Sequence, residues 1–186
     1  DLIWSRIVRH YLLGERTQMN DLMAWNADAT RMPARMHSEY LRQMFLDNAL
    51  AKGRFDVGGK PVALPDLRMP VFCLATETDH VSPWRSVFKL QLLTDTDVTF
   101  CLTAGGHNSG VLSEPGHRRR HYRLRTRSDG DHHVSADDWL GQTPVADGSW
   151  WPAWTDWLAG HRGRKRIAPR AARPSIGPAP GTYVFG

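Results

Sequence analysis

The chain has 186 residues, 41% hydrophobic and 23% charged, and 24 Lys and Arg against 19 Asp and Glu give a net charge of +5. That length supports one domain with a real core, and no apolar run approaches the ~18 residues of a membrane-crossing helix. The opening Asp1-Leu2-Ile3-Trp4 has no initiator Met and no signal-peptide pattern, so the start is expected to be a cut.

Residues 2–13 set Leu2, Ile3, Ile7, Val8, Tyr11 and Leu12 at helical spacing, with Gly14 as the stop. The stretch from Trp25 through Asp28 to Thr30 is predicted to be a polar loop bearing one large aromatic. Residues 34–50 follow Pro33 as a second amphipathic helix, with Met36, Tyr40, Leu41, Met44, Phe45 and Leu50 on one side. Residues 54–63 read as a hairpin around Gly58-Gly59.

A clearer unit follows. Residues 69–76 form an apolar run of strand length. Ser82-Pro83 resembles an N-cap with proline at the first helical position, and residues 84–93 are helix-compatible. Residues 97–103 form a second apolar strand running into Ala104-Gly105-Gly106-His107. This strand–helix–strand order with buried strands predicts an α/β fold with a parallel sheet.

Residues 113–134, basic and rich in Gly, Arg and His, are expected to form a long surface loop. A short helical turn is predicted over 136–140. A helix over 149–159 places Trp150, Trp154 and Trp157 on one face, packed on the sheet. Residues 161–186 turn basic and then Pro/Gly-rich, which predicts a weakly ordered tail.

Two arginine-rich clusters, over 117–127 and 161–166, carry much of the charge and read as solvated loop and tail. No aromatic interleaving accompanies them, so no nucleic-acid partner is expected. Cys73 and Cys101 lie inside apolar runs and read as core thiols of a reducing, cytoplasmic compartment. A strand-buried thiol is poorly placed to become a thiolate nucleophile. His10, His37, His132, His133 and His161 lack metal-ligand spacing, so no metal is assigned.

The candidate chemistry lies at two strand ends. Catalytic groups of open α/β sheets gather at the carboxyl ends of the strands. Thr76-Glu77-Thr78-Asp79-His80 follows the first strand and Gly105-Gly106-His107 the second. The 28 residues from Asp79 to His107 hold one helix and one strand. A hydroxyl or thiol nucleophile needs a base, and His suits neutral pH. The base needs an acid on its other nitrogen. Nucleophile, acid, His is the chain order of α/β-hydrolases. Asp79 and His107 fill the last two places, but a structural cap and an ordinary turn would use the same residues. No Gly-x-Ser-x-Gly or Gly-x-Cys-x-Gly occurs, so the nucleophile is expected upstream of residue 1.

Five segments carry a family resemblance. Trp25-Asn26-Ala27-Asp28-Ala29-Thr30-Arg31-Met32-Pro33 resembles the W-N-x-D-x-T-x-x-P stretch of polyhydroxyalkanoate synthases. Asp79-His80-Val81-Ser82-Pro83-Trp84 is similar to their acid loop, and Gly106-His107-Asn108-Ser109-Gly110-Val111 to their histidine loop. The segments from Gly148 to Leu158 and from Ala179 to Val184 resemble their G-S-W-W-P-x-W-x-x-W-L and A-P-G-x-Y-V segments. Asn108, where the family often has an apolar residue, and the arginine-rich insert depart from the pattern.

The resemblance implies the C-terminal part of an α/β-hydrolase fold. The end of a helical lid would occupy 1–50, the core 51–160 and the tail 161–186. It implies an acyltransferase that polymerises (R)-3-hydroxyacyl-CoA into polyester with release of CoA. The CoA thioester is substrate, and no cofactor is implied. Asp79 and His107 match the family's catalytic acid and base, and His80, Trp25 and Asp28 are candidates for the substrate route. The growing polyester, a granule surface and a second copy of the chain are the implied partners. Without the nucleophilic cysteine the chain alone is expected to be inactive. Two other readings stay open: an esterase with an upstream serine, and a non-catalytic polyanion-binding module.

Overall fold

The computed structural model describes residues 2–15, 21–27, 31–163 and 177–178. The chain divides into two units, Asp1–Ala63 and Leu64–Gly186.

The first unit is mainly helical. Helix α1 spans Leu2–Ile7 and continues as a π-helical turn over Val8–Leu12, ending before Gly14 in the left-handed region. Helix α2 spans Asp21–Ala27. The polar loop expected from Trp25 is thus helical up to Ala27, because Leu22, Met23 and Ala24 are strong helix formers and Asp21 sits favourably in the first turn. Helix α3, Ala34–Tyr40, follows Pro33 and continues as a π-helical stretch over Leu41–Leu46. Strands β1 (Phe55–Val57) and β2 (Lys60–Val62) pair antiparallel. Gly58 and Gly59 both have positive φ, which a two-residue hairpin turn needs. The Gly59 amide donates to Asp56 Oδ1 at 2.9 Å and closes the turn.

The second unit is an α/β domain. Strands β3 (Val71–Thr76), β4 (Val98–Thr103), β5 (His121–Arg127) and β6 (Val145–Asp147) form one sheet in that order. β3 and β4 run parallel, in register from Val71 opposite Val98 to Thr76 opposite Thr103. β5 and β6 add antiparallel, so the sheet is mixed where sequence predicts a parallel one. The crossover from β3 to β4 carries two short helices, α4 (Trp84–Phe88) and α5 (Leu90–Leu93). Pro83, not Ser82, stands at the N-cap of α4, and no side chain caps that helix. Helix α6 (Ala136–Gln142) is capped by Ser135, whose Oγ accepts from the Asp138 amide. Helix α7 spans Trp151–His161.

The predicted 113–134 loop contains a strand, β5, over His121–Arg127. Its arginines are tied down: Arg127 Nη2 donates to the carbonyls of Thr94 and Thr96, Arg125 Nη1 to Gln142 Oε1, and Arg123 Nη1 to the Thr143 carbonyl. Aliphatic arginine stems can cover apolar surface while the heads find acceptors at the margin. Charge density hides a period-two strand from a reading based on polarity.

The two faces of the sheet are covered separately. Phe100 and Leu102 join Ala75, Trp84, Phe88 and Trp139 in one buried cluster, with the Phe100 and Trp139 rings 5.1 Å apart and nearly perpendicular. Such edge-to-face contacts add to the area each ring buries. Phe72 instead meets Trp150 and Trp157, so α7 and its leading turn pack on the sheet as predicted. Among the described residues no helix is long and apolar enough to cross a membrane. The predicted tail, residues 161–186, lies almost wholly outside the described residues.

Candidate active site

Parallel pairing brings the carboxyl ends of β3 and β4 to the same rim, and backbone bonds then lock the two following loops together. The Glu77 amide donates to the Thr103 carbonyl at 2.9 Å, and the Thr78 amide to the Gly105 carbonyl at 3.0 Å. Gly105 has φ +109°, and a Cβ there would lie 2.9 Å from Arg120 Nη1 and from the backbone of Gly110. Only glycine allows this backbone turn and this close approach together.

The two loops place an acid against an imidazole. His107 Nδ1 lies 2.8 Å from Asp79 Oδ2. The other carboxylate oxygen, Oδ1, accepts from the amides of Val81 and Ser82, both at 2.8 Å. The Asp79 side chain is only 7% exposed, whereas the His107 side chain is 47% exposed. The Ser82 amide is the main cause that lowers the Asp79 carboxyl to about 2, outweighing the burial that pushes the other way. The His107 ring and the Val81 amide add to the lowering. An ionised carboxylate only accepts. Nδ1 must therefore carry the proton and donate it to Asp79, which leaves Nε2 of a neutral ring as the acceptor. Tautomer and orientation are set as a general base requires.

The other sequence candidates separate. His80 is exposed on the acid loop, and no hydrogen bond joins it to the Asp79 carboxylate or the His107 ring. Trp25 is on α2 of the first unit and is 72% exposed. Asp28 lies outside the described residues. Cys101 is fully buried and Cys73 partly so, and burial pushes their thiols up to about 12 and about 11. Neither forms a thiolate near neutral pH, so neither has the chemistry of an activated nucleophile.

A second acid–imidazole contact escaped sequence reasoning. His121 Nε2 lies 3.0 and 3.1 Å from the two Glu77 carboxylate oxygens. Glu77 is only two residues before Asp79, but His121 follows a segment expected to be loop. Once β5 is recognised, its pairing with β4 brings His121 to this rim: its carbonyl accepts from the Ala104 amide at 3.0 Å. Among the described residues no group of three His, Cys, Asp or Glu side chains is placed to hold a metal ion.

No family model matches the chain. Curated relatives do. It is 43% identical to the poly(3-hydroxyalkanoate) polymerase of Methylorubrum extorquens, across 99% of this chain and 30% of that protein. It is 39% identical to the poly(3-hydroxyalkanoate) polymerase subunit PhaC of Rhizobium meliloti (strain 1021), again across 99% of this chain and 30% of the relative. Against the polymerase subunit PhaC of Cupriavidus necator the identity is 37%, across 99% of this chain and 31% of the relative. The chain thus spans about a third or less of the length of these relatives.

Proposed function

The chain belongs to the family of the poly(3-hydroxyalkanoate) polymerases, the polyhydroxyalkanoate synthases, as a stretch matching 30% of the length of its relatives, and from that membership we propose that it supplies the acid and base of a cysteine acyltransferase. The observation that carries the reading is the 2.8 Å contact between Asp79 Oδ2 and His107 Nδ1 on adjacent parallel strand ends.

The nucleophile in this reading is a thiol outside the present sequence, since Cys101 is a buried and Cys73 a partly buried strand residue, neither in an elbow motif. His107 Nε2 takes the thiol proton, and the thiolate attacks the carbonyl carbon of an (R)-3-hydroxyacyl-CoA. The carbon–sulfur bond to CoA breaks, the CoA sulfur takes the proton back from the imidazolium, and the acyl group remains as a thioester on the protein. A 3-hydroxyl oxygen then attacks a thioester carbonyl while His107 takes its proton; the carbon–sulfur bond of that thioester breaks, the departing sulfur takes the proton from the imidazolium, and the polyester grows by one ester bond. Asp79 stays ionised throughout and supports the imidazolium. Residues 51–160 are then the last part of an α/β-hydrolase core, residues 1–50 the end of the lid region and residues 161–186 a tail. A cytoplasmic setting, a polyester-granule surface and a second copy of the chain accompany the proposal.

The test is a chimaera in which this chain replaces the matching segment of the Methylorubrum extorquens polymerase. CoA release from (R)-3-hydroxybutyryl-CoA is expected, and His107→Ala is expected to lower it by about a hundredfold or more. Near-normal release by His107→Ala would remove the base assignment. The elbow residue encoded upstream of Asp1 separates this reading from an esterase: cysteine supports it, serine overturns it.

A further inference from the structure

The loop that carries His107 is a single helical turn: the Gly110 amide donates to the Gly106 carbonyl and the Leu112 amide to the Asn108 carbonyl. A helical turn leaves its last carbonyls without amide partners. Here Pro115, four residues beyond Val111, has no N–H to offer. Side chains from elsewhere take these carbonyls instead. Arg120 Nη2 donates to the Ser109 carbonyl at 2.8 Å. The Trp150 indole N–H donates to the Gly110 carbonyl at 3.2 Å and the Trp151 indole N–H to the Val111 carbonyl at 3.0 Å. Ser149 Oγ donates to the Ser113 carbonyl.

The four donors form one piece. The Gly148 amide donates to the Arg120 carbonyl at 2.7 Å, joining the turn before β5 to the turn before α7. The Trp151 amide donates to Ser149 Oγ at 3.0 Å, which orients that hydroxyl. Trp150 is buried against Phe72, so the piece is anchored on the sheet. His107 is joined to Asp79 by one ring contact, and its backbone direction is set by the turn whose far end these donors hold.

We propose that Arg120, Ser149, Trp150 and Trp151 are positioning residues: a clamp of four side-chain donors on the carbonyls of Ser109, Gly110, Val111 and Ser113 that fixes the His107 ring against Asp79. The proposal deepens the reading of His107 as a base and takes its catalytic meaning from it. Packing alone would tolerate phenylalanine in place of either tryptophan; the clamp would not, because the indole N–H is what the carbonyls use.

The first measurement uses the 186-residue chain with labelled histidine and follows the low-field proton on His107 Nδ1 by NMR. Trp151→Phe is the primary variant, since Trp151 is only partly buried. Exchange of that proton with water is expected to quicken roughly three- to tenfold, the population change that accompanies the loss of one hydrogen bond. Arg120→Met is expected to act in the same direction, with partial recovery in Arg120→Lys, which can still donate to the Ser109 carbonyl. Trp154→Phe is the control, since Trp154 is exposed and donates to none of these carbonyls. Unchanged exchange in both Trp151→Phe and Arg120→Met would overturn the clamp.

The second measurement puts Trp151→Phe into the chimaera, where kcat is expected to fall and KM to hold. A fall confined to KM would also overturn the clamp. The parent reading is tested separately by His107→Ala. Full activity of that variant with altered proton exchange in Trp151→Phe would sink the catalytic assignment and leave the clamp standing.

Discussion

Gly110 lies so close to Thr76 that a Cβ at position 110 would sit 2.6 Å from Thr76 Cγ2 and 3.0 Å from the Ala104 carbonyl oxygen. The turn bearing His107 therefore rests directly on the last residue of β3. Gly110→Ala is expected to push the two apart and to destabilise the fold by about 1–3 kcal/mol, as overpacking of a close contact does. Pairing it with Thr76→Ser, which removes Cγ2, is expected to recover part of the loss. Urea unfolding of both single variants and the double variant measures the coupling. Additive losses would mean that the two residues do not press on each other.

That contact also marks what a sequence can and cannot disclose. The strands over 71–76 and 98–103 were legible because they are buried apolar runs bounded by turn residues. Asp79 and His107 were legible because both follow such strands directly. β5 was not: His121 to Arg127 holds four cationic or imidazole residues of seven, and only its partners show that the arginine heads reach carbonyls at the sheet's margin. The helical continuation to Ala27 was missed for a related reason, since polar residues from Asn26 onward masked the helix formers before them. The clamp donors are far from His107 in sequence, and spacing alone gives no sign that indole N–H groups meet the carbonyls of residues 110 and 111.

Acid stability should report the Asp79 contacts. Its carboxyl titrates near 3.8 when unfolded and about 2 when folded, chiefly because the Ser82 amide holds the ionised form. A depressed folded-state value means that the unfolded chain binds the proton first as pH falls. The stabilisation is full above about 3.8, drains between that value and about 2, and is gone below. Asp79→Asn keeps the shape but cannot ionise. Unfolding free energies of the wild-type chain and Asp79→Asn should differ most near neutral pH and converge toward pH 2. A constant gap across that window would show that the charge of Asp79 contributes nothing to the fold.

Cysteine chemistry offers a direct check on the exclusion of an internal nucleophile. With Cys101 held at about 12 and Cys73 at about 11 by burial, each thiol is almost wholly protonated at neutral pH. Iodoacetamide at pH 8 should label the native chain at well under a tenth of the rate seen in denaturant, where the ordinary thiol value near 8.5 returns. Mass spectrometry after timed quenching separates the two sites. Rapid labelling of Cys73 in the folded chain would restore it as a nucleophile candidate and weaken the proposal of a thiol from outside the sequence.

Arg118 and Arg127 belong to the same basic segment but should behave differently when altered. Arg118 is exposed, whereas Arg127 is partly buried and donates to the carbonyls of Thr94 and Thr96 at 2.9 and 3.0 Å. Those two threonines sit buried in the connection leading into β4. Arg127→Met keeps the aliphatic stem and removes the donors, leaving two carbonyls short of partners. A cost of about 1–3 kcal/mol is expected in urea unfolding. Arg118→Met is expected to stay within about 0.5 kcal/mol of the wild-type chain, as surface substitutions usually do. Equal, small effects would return the whole segment to the status of solvated charge. A large effect confined to Arg127 would establish that its charge is there for the sheet, and that polyanion binding, if measured, must use the exposed residues nearer Arg118.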